Sequence, residues 1–320
     1  MSRTLIAAAA LTAGGVLGSP AAVAAPAAPA AAAVRPSVTT SYLAATHTGR
    51  TARLQLVDRR TGVVTRTLAT AVMKGANNPF TDAGIAPDGT VWAVSRQGGP
   101  YSSTLLRIKD GRVNTVMPYV ASARISPDGT RLAVTVLSPD VNHDGRGTRS
   151  VRVGSVTGRG MRTIAQETFP VDAQGQPAVE YQVPHVQTWL GNHHLALWHG
   201  CCDDGNVSVI SADRVSTPSA WPGRNGDAST EVVGVRGDTA VVPVAVTDRD
   251  GSPVRYDVYH LSPAHPRGVR AGQVGVGRDG TMLMRPYLLT IGAAATVPEY
   301  AALPYRATKG VTLDRTFTGR

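Results

Sequence analysis

Apolar residues in this chain fall into short runs of five to eight, separated by tight polar turns. The segment Ile125-Ser126-Pro127-Asp128-Gly129-Thr130-Arg131-Leu132-Ala133-Val134 reads as strand, turn, strand. Asp-Gly supplies the turn, because Gly accepts a positive φ at no steric cost. Ile85-Ala86-Pro87-Asp88-Gly89-Thr90-Val91-Trp92-Ala93-Val94 repeats it almost residue for residue. Looser copies follow. Trp189–Asn192 precedes the apolar run His194–Trp198, Val235–Thr239 precedes Ala240–Val244, and Gly277–Thr281 precedes Met282–Met284.

The copies recur at a steady interval. Gly89 to Gly129 is 40 residues, Gly191 to Gly237 is 46 and Gly237 to Gly280 is 43. The 62 residues from Gly129 to Gly191 make one period plus an insertion near residues 166–184. The stronger copies are each followed by another strand pair. Thr104–Ile108 and Arg112–Val116 flank Lys109-Asp110-Gly111, and Ser150–Val156 and Met161–Ile164 flank Gly158-Arg159-Gly160. Ahead of the copies, Ser41–Ala45, Ala52–Asp58 and Val63–Leu68 supply three strands, and Val311–Phe317 is placed to supply their fourth.

A period in the low forties with four short strands per unit is the mark of propeller blades. The pattern predicts an all-β, six-bladed β-propeller of four-stranded blades over residues 38–320, the alternatives being seven blades or a pair of β-sandwiches. The two strongest copies resemble the Ser-Pro-Asp-Gly-Thr-x-Leu-Ala repeat of TolB-like and WD40-like propellers. That resemblance covers residues 38–320 in period but only two copies closely. It implies a fold and little about activity, since the class spans interaction proteins, peptidase side domains and sugar- or lactone-processing enzymes.

Composition agrees with many turns and few long helices: 34 Gly and 22 Pro accompany only 5% aromatic residues. The first 24 residues have the form of a secretory signal. Arg3 leads, the apolar stretch Leu5–Leu17 is shorter than the ~20 residues that span a bilayer, and Ala22-Val23-Ala24 offers a small-x-small cleavage site. Residues 25–37 form a Pro/Ala-rich linker. The expectation is a secreted or envelope-associated monomer with no transmembrane segment in the mature chain.

Charge narrows the partners less than its size suggests. Without Arg3, 31 basic residues face 22 acidic ones, and only Lys74, Lys109 and Lys309 among them are lysines. The arginines are scattered, with neither a run nor interleaved aromatics, which speaks against nucleic acid. A protein or an envelope polymer is the expected partner.

Several stretches could carry chemistry. Asp140, Asn142 and Asp144 alternate before Gly145 like the first half of a calcium loop. Val151 stands where the closing acidic ligand belongs, so another loop would have to complete the shell, and a plain hairpin tip is the competing reading. Cys201 and Cys202, adjacent and the only cysteines, suit a vicinal disulfide in an exported chain. His185, His193, His194 and His199 lie nearby. On a strand, His194 and His199 would point to opposite faces, and His193 and His199 would stand about 20 Å apart, too far to share a metal.

Gly275-Val276-Gly277-Arg278-Asp279-Gly280 matches the dinucleotide fingerprint in letters but precedes a strand-like run, without the helix N-terminus that phosphate needs. Local hydrolase and nucleotide motifs are absent. A binding or scaffolding module is therefore the favoured function. The alternative is a propeller enzyme of lyase or lactonase type, with His185, His199, Asp203 and Asp204 as its first candidates.

Overall fold

The computed structural model describes residues 40–98, 102–138, 146–170, 185–201, 204–217, 231–278, 280–297, 300 and 303–317. Its strands form five antiparallel sheets, each built mainly from consecutive strands. Sheet I holds β1 (Ser41–Thr48), β2 (Thr51–Asp58) and β3 (Val64–Val72). Sheet II holds β4 (Phe80–Ile85), β5 (Val91–Arg96), β6 (Ser103–Lys109) and β7 (Arg112–Pro118). Sheet III holds β8 (Val120–Ile125), β9 (Arg131–Ser138), β10 (Arg146–Ser155) and β11 (Arg162–Pro170). Sheet IV holds β12 (His185–Leu190), β13 (His194–Cys201) and β14 (Asp204–Ser211). Sheet V holds β15 (Gly234–Arg236), β16 (Thr239–Thr247), β17 (Pro253–Leu261) and β18 (Val269–Gly275), with β19 (Ala294–Ala295) on the free edge of β15. The last strand, β20 (Thr312–Phe317), returns to pair with β1 and makes sheet I four-stranded, as the apolar pattern predicts.

The repeated turn explains why the motif reads Ser-Pro-Asp-Gly-Thr. The Gly129 amide donates to the Ser126 carbonyl at 2.8 Å, and the Gly89 amide to that of Ala86 at 2.9 Å. The Asp carboxylate then accepts from the Thr two residues on: the Thr130 amide reaches Asp128 at 3.0 Å and the Thr90 amide reaches Asp88 at 2.9 Å. These are side-chain turns that substitute for backbone pairing. Burial works to raise the Asp88 carboxyl, but the Lys109 ammonium and the Thr90 donors outweigh it and hold it down to about 2. The turns also interlock, for Gly129 lies directly on the Pro87 ring of the preceding copy.

Middle strands are apolar without alternation because both of their faces are covered. In β9 the six residues Leu132–Leu137 are all buried, whereas the outer strand β7 is almost wholly exposed. Each sheet stacks on the next through its own cluster. Leu54, Leu56 and Phe317 meet Phe80, Ile85 and Ile108 between sheets I and II. Trp92 and Leu105 meet Val120 and Leu132 between II and III. Val151 and Ile164 meet Trp189 and Leu197 between III and IV. Leu190 and Val207 meet Ala240, Val242 and Val244 of β16 between IV and V. These two indoles are satisfied as well as buried: Trp92 Nε1 donates to the Val156 carbonyl at 3.0 Å and Trp189 Nε1 to that of Arg124 at 2.9 Å. Meandering sheets stacked face to face are the layout of propeller blades.

The region expected to open a sixth blade does something else. Val276 and Met282 make a single bridge across the Gly277–Thr281 turn, and the chain then enters helix α1 (Met284–Ile291) in place of a strand at Met282–Met284. The reason is periodicity: Met284 and Leu288, four residues apart, are both buried against Val241, Val258 and Val274 of sheet V and Val233 just ahead of it. Pro286 sits in the first turn, where its missing N–H costs no helical bond. Five sheets are thus present among the described residues, not six. Downstream, Leu303 and Tyr305 cover Tyr42, Ala44 and Val57 on sheet I, and the Tyr42 hydroxyl donates to the Pro304 carbonyl at 2.5 Å. Among the described residues no helix is long and apolar enough to cross a membrane.

The interlocked turns give a test. Gly129 has φ +72°, and an added Cβ would overlap the Pro87 ring; Gly237 has φ +60° with open space around it. Gly237→Ala should cost about 1 kcal/mol of backbone strain. Gly129→Ala should cost at least about twice that, read as the difference in urea unfolding midpoints. Equal midpoints would refute the packing role of Gly129.

Candidate functional site

The first strands of sheets II to IV, with β20 and the segments bordering β15 and β19, surround a central cavity of about 600 Å³. Its wall takes residues from sheets I to IV and from the segments bordering sheet V, including Asp82, Arg124, His185, Gln187, Val232 and Arg315. Four strands are irregular where they reach it. Thr81 in β4, Ala121 in β8, Gln187 in β12 and Asp314 in β20 each stand at a register shift and have no cross-strand partner. A bulge bends its strand and re-aims the side chains beside it. All four of these residues line the cavity.

Polar groups join one sheet to the next around this wall. Arg315 of sheet I donates to the Thr81 carbonyl of sheet II at 2.7 Å. Asp82, buried in sheet II, accepts the Ala123 amide of sheet III at 2.9 Å and is ion-paired with Arg124. Arg124 Nε donates to the Gln187 carbonyl of sheet IV at 2.6 Å. Gln187 Oε1 accepts the Val232 amide, just ahead of β15, at 2.7 Å. Thr296 Oγ1 donates to the Val232 carbonyl at 2.5 Å. Donors and acceptors alternate along this belt, so the buried Asp82 charge is both paired and hydrogen-bonded, which its burial requires.

The histidines separate into distinct roles. His185 lies on the cavity wall with its ring edge-on to Trp198, centroids 5.0 Å apart. Enclosure by the sheets pushes it down to about 3, and the neighbouring Arg149, Arg124 and His199 reinforce that. His199 is off the cavity, buried, with Nε2 2.6 Å from the Ser208 hydroxyl; burial and then Arg149 hold it down to about 4. His193 sits in the β12–β13 turn and pairs with Asp213 at 2.7 Å. The structure therefore does not bring His185 and His199 together on the cavity wall. Among the described residues no group of three His, Cys, Asp or Glu side chains is placed to hold a metal ion.

Other sequence-predicted positions lie outside the described residues: Asp140, Asn142 and Asp144 of the calcium-like loop, and Cys202 and Asp203. Cys201 and Asp204 are described as a backbone pair of β13 and β14. The dinucleotide-like glycines close a hairpin turn, the Gly277 amide donating to the Thr281 carbonyl at 2.7 Å. Sequence reasoning passed over Asp82, Arg124 and Gln187. Their signal was polar residues interrupting the first apolar strand of each copy, shortly before the turn.

Comparison with known proteins finds no matching protein family and no matching curated protein. Among solved structures, the β-propeller domain of the trilobed protease from Pyrococcus furiosus is 13% identical, with 61% of this chain and 58% of that one covered and a TM-score of 0.39. The tricorn protease is 9% identical over 86% of this chain and 30% of that one, TM-score 0.43. A GH74 xyloglucanase from Xanthomonas campestris is 13% identical over 75% and 37%, TM-score 0.44. The chain spans less than two thirds of the length of each. Likeness this distant ties the chain to none of their activities.

Both depressed histidines link stability to pH. As pH falls below their ordinary value near 6.5, the unfolded chain takes up protons that folded His185 and His199 refuse until about 3 and about 4. Stability is therefore complete above pH 6.5 and is lost as pH drops through the window below it, by up to about 1.4 kcal/mol per pH unit for each group. Urea midpoints should fall between pH 7 and pH 5, and His199→Asn should flatten that slope by roughly half. A slope unchanged by the substitution would exclude His199 as a source.

Proposed function

We propose that the chain is an exported β-propeller that works as a binding or scaffolding module, engaging a protein or an envelope polymer through its central cavity. In this reading sheets I to V are five blades, and α1 with the 303–305 segment occupies the place of a sixth. The observation that carries it is the polar belt from Arg315 to Thr296. It holds the first strands of neighbouring sheets at fixed separation, so the cavity and its polar groups are set before a ligand arrives. Preorganisation of that kind lowers the ordering cost of binding.

The wall is less suited to acid–base catalysis. A general base works best with a pKa near the operating pH, and a histidine at about 3 holds a proton too weakly. Asp82 is engaged by Arg124 and the Ala123 amide. Export rests on the signal-like first 24 residues, and calcium bracing on Asp140, Asn142 and Asp144. If calcium braces the fold, adding it after EDTA should raise the melting temperature, and Asp140→Ala with Asp144→Ala should remove the rise.

Ala121 provides the test of the cavity. It lines the wall from a bulge, so Ala121→Phe would fill space without breaking the belt. Glycan and peptide arrays probed with the mature chain should yield binders, and Ala121→Phe should weaken them at least about tenfold, some 1.4 kcal/mol, at an unchanged melting temperature. Binding untouched by Ala121→Phe would move the site off the cavity, and turnover of a bound compound would favour an enzyme.

A further inference from the structure

The central cavity is continuous with a second hollow. A groove of about 650 Å³ beside the β3–β4 connection shares Thr81, Arg96, Asp314 and Arg315 with the central cavity. Charge at this junction is unequal. Asp314 already accepts from His47 Nδ1 and from Asn78 Nδ2, each at 2.8 Å. Arg315 directs one N–H to the Thr81 carbonyl and has further guanidinium N–H groups beyond that bond. Arg96, the last residue of β5, is exposed. Lys74 lines the groove as well. Among the described residues no carboxylate forms an ion pair with Arg96, Arg315 or Lys74, whereas Arg124, deeper in the cavity, is paired with Asp82.

Three hydroxyls of the wall have the opposite hydrogen-bonding character. Ser122, Thr188 and Thr296 each give their hydroxyl proton to a group of the protein, Thr135 Oγ1, the Trp189 carbonyl and the Val232 carbonyl respectively. What those hydroxyls retain is acceptor capacity. The cavity thus offers hydroxyl acceptors at Ser122, Thr188 and Thr296 and charged donors at its junction with the groove. A ligand complementary to both has several O–H donors on its body and an anionic oxygen group at one end. Guanidinium forks fit planar carboxylate and phosphate oxygens, and a concave site concentrates their field.

We infer that the cavity takes an acidic carbohydrate unit, a sugar carrying a carboxylate or a phosphate, with the anionic group on Arg96 and Arg315 and the hydroxyls against Ser122, Thr188 and Thr296. This rests on the cavity being the binding site, as proposed above. It identifies the chemistry of the ligand and the residues that read its charge.

The test is calorimetric titration of the full mature chain with glucuronate, glucose 6-phosphate and glucose at low salt. Both acids should bind at least about tenfold more tightly than glucose, the advantage shrinking as salt is raised. The tighter of the two identifies carboxylate or phosphate as the group preferred. Arg96→Gln should erase the advantage, and Arg96→Lys should restore part of it. The Arg96 side chain makes no hydrogen bond within the described residues, so its substitution should leave the melting temperature unchanged, a control that Arg315→Gln lacks. Equal binding of glucose and the acids would overturn the charge reading while leaving the cavity as the site. An acid preference that survives Arg96→Gln would overturn the assignment of the junction. If none of the three sugars binds, the acidic-carbohydrate inference fails, and array binders lost on Ala121→Phe would still sustain the cavity itself.

Discussion

The middle strands of these sheets have two apolar faces and no solvent side. Val134 and Val136 of β9 are buried through one neighbouring sheet, and Ala133 through the other. A sheet of that kind cannot stand alone in water, because one face would expose several hundred Å² of apolar surface at about 25 cal/mol per Å². It must be stacked on both sides. A row of such sheets still has two outer faces, at its first and last members, and those ends decide the remaining architecture. Sheet V is covered by α1 through Met284 and Leu288, and sheet I by Leu303 and Tyr305. The polypeptide between β18 and β20 therefore serves to close apolar faces, even though its sequence carries a faint copy of the repeated turn.

The central cavity follows from the same stacking. Twisted sheets placed side by side bring their first strands together around a common axis, and the side chains there cannot all be apolar without collapsing the space. In this protein the strands bulge at Thr81, Ala121, Gln187 and Asp314, all of which line the cavity. The belt from Arg315 through Asp82, Arg124 and Gln187 to Val232 then spans the gaps between sheets. Its contribution to net stability is modest, since buried ion pairs repay little beyond their desolvation. Its larger effect is on shape, because each bond sets a distance between two strands that apolar packing alone would leave adjustable. The groups that space the sheets also line the central cavity.

Much of the strand plan was readable from the chain. The Asp88-Gly89 and Asp128-Gly129 turns and the strands that flank them depend on local periodicity and turn chemistry, which act within a few residues, and the 40-residue interval between the turns is itself written along the chain. The helix at Met284–Ile291 was not readable as such. Its strand-like start competes with a helical spacing of Met284 and Leu288 that gains its advantage only from the valines of sheet V, contributed by distant parts of the chain. The site was less legible still. Asp82, Arg124, Gln187 and Arg315 look like unrelated polar residues in separate strands, while the cluster His185–His199, conspicuous in sequence, is split between a cavity wall and a buried pair with Ser208.

Sequence alone thus determined that this protein is built of short strands in repeated meanders with Asp-Gly turns, because those features follow from alternation, φ preferences and spacing along one stretch of chain. Tertiary structure alone decided how many sheets form among the described residues, what covers the two end faces, and which polar residues share the central cavity. Those outcomes depend on contacts between residues dozens to hundreds of positions apart, such as Thr81 with Arg315 and Gln187 with Val232. No local pattern encodes such distances, since they arise only once apolar faces have stacked.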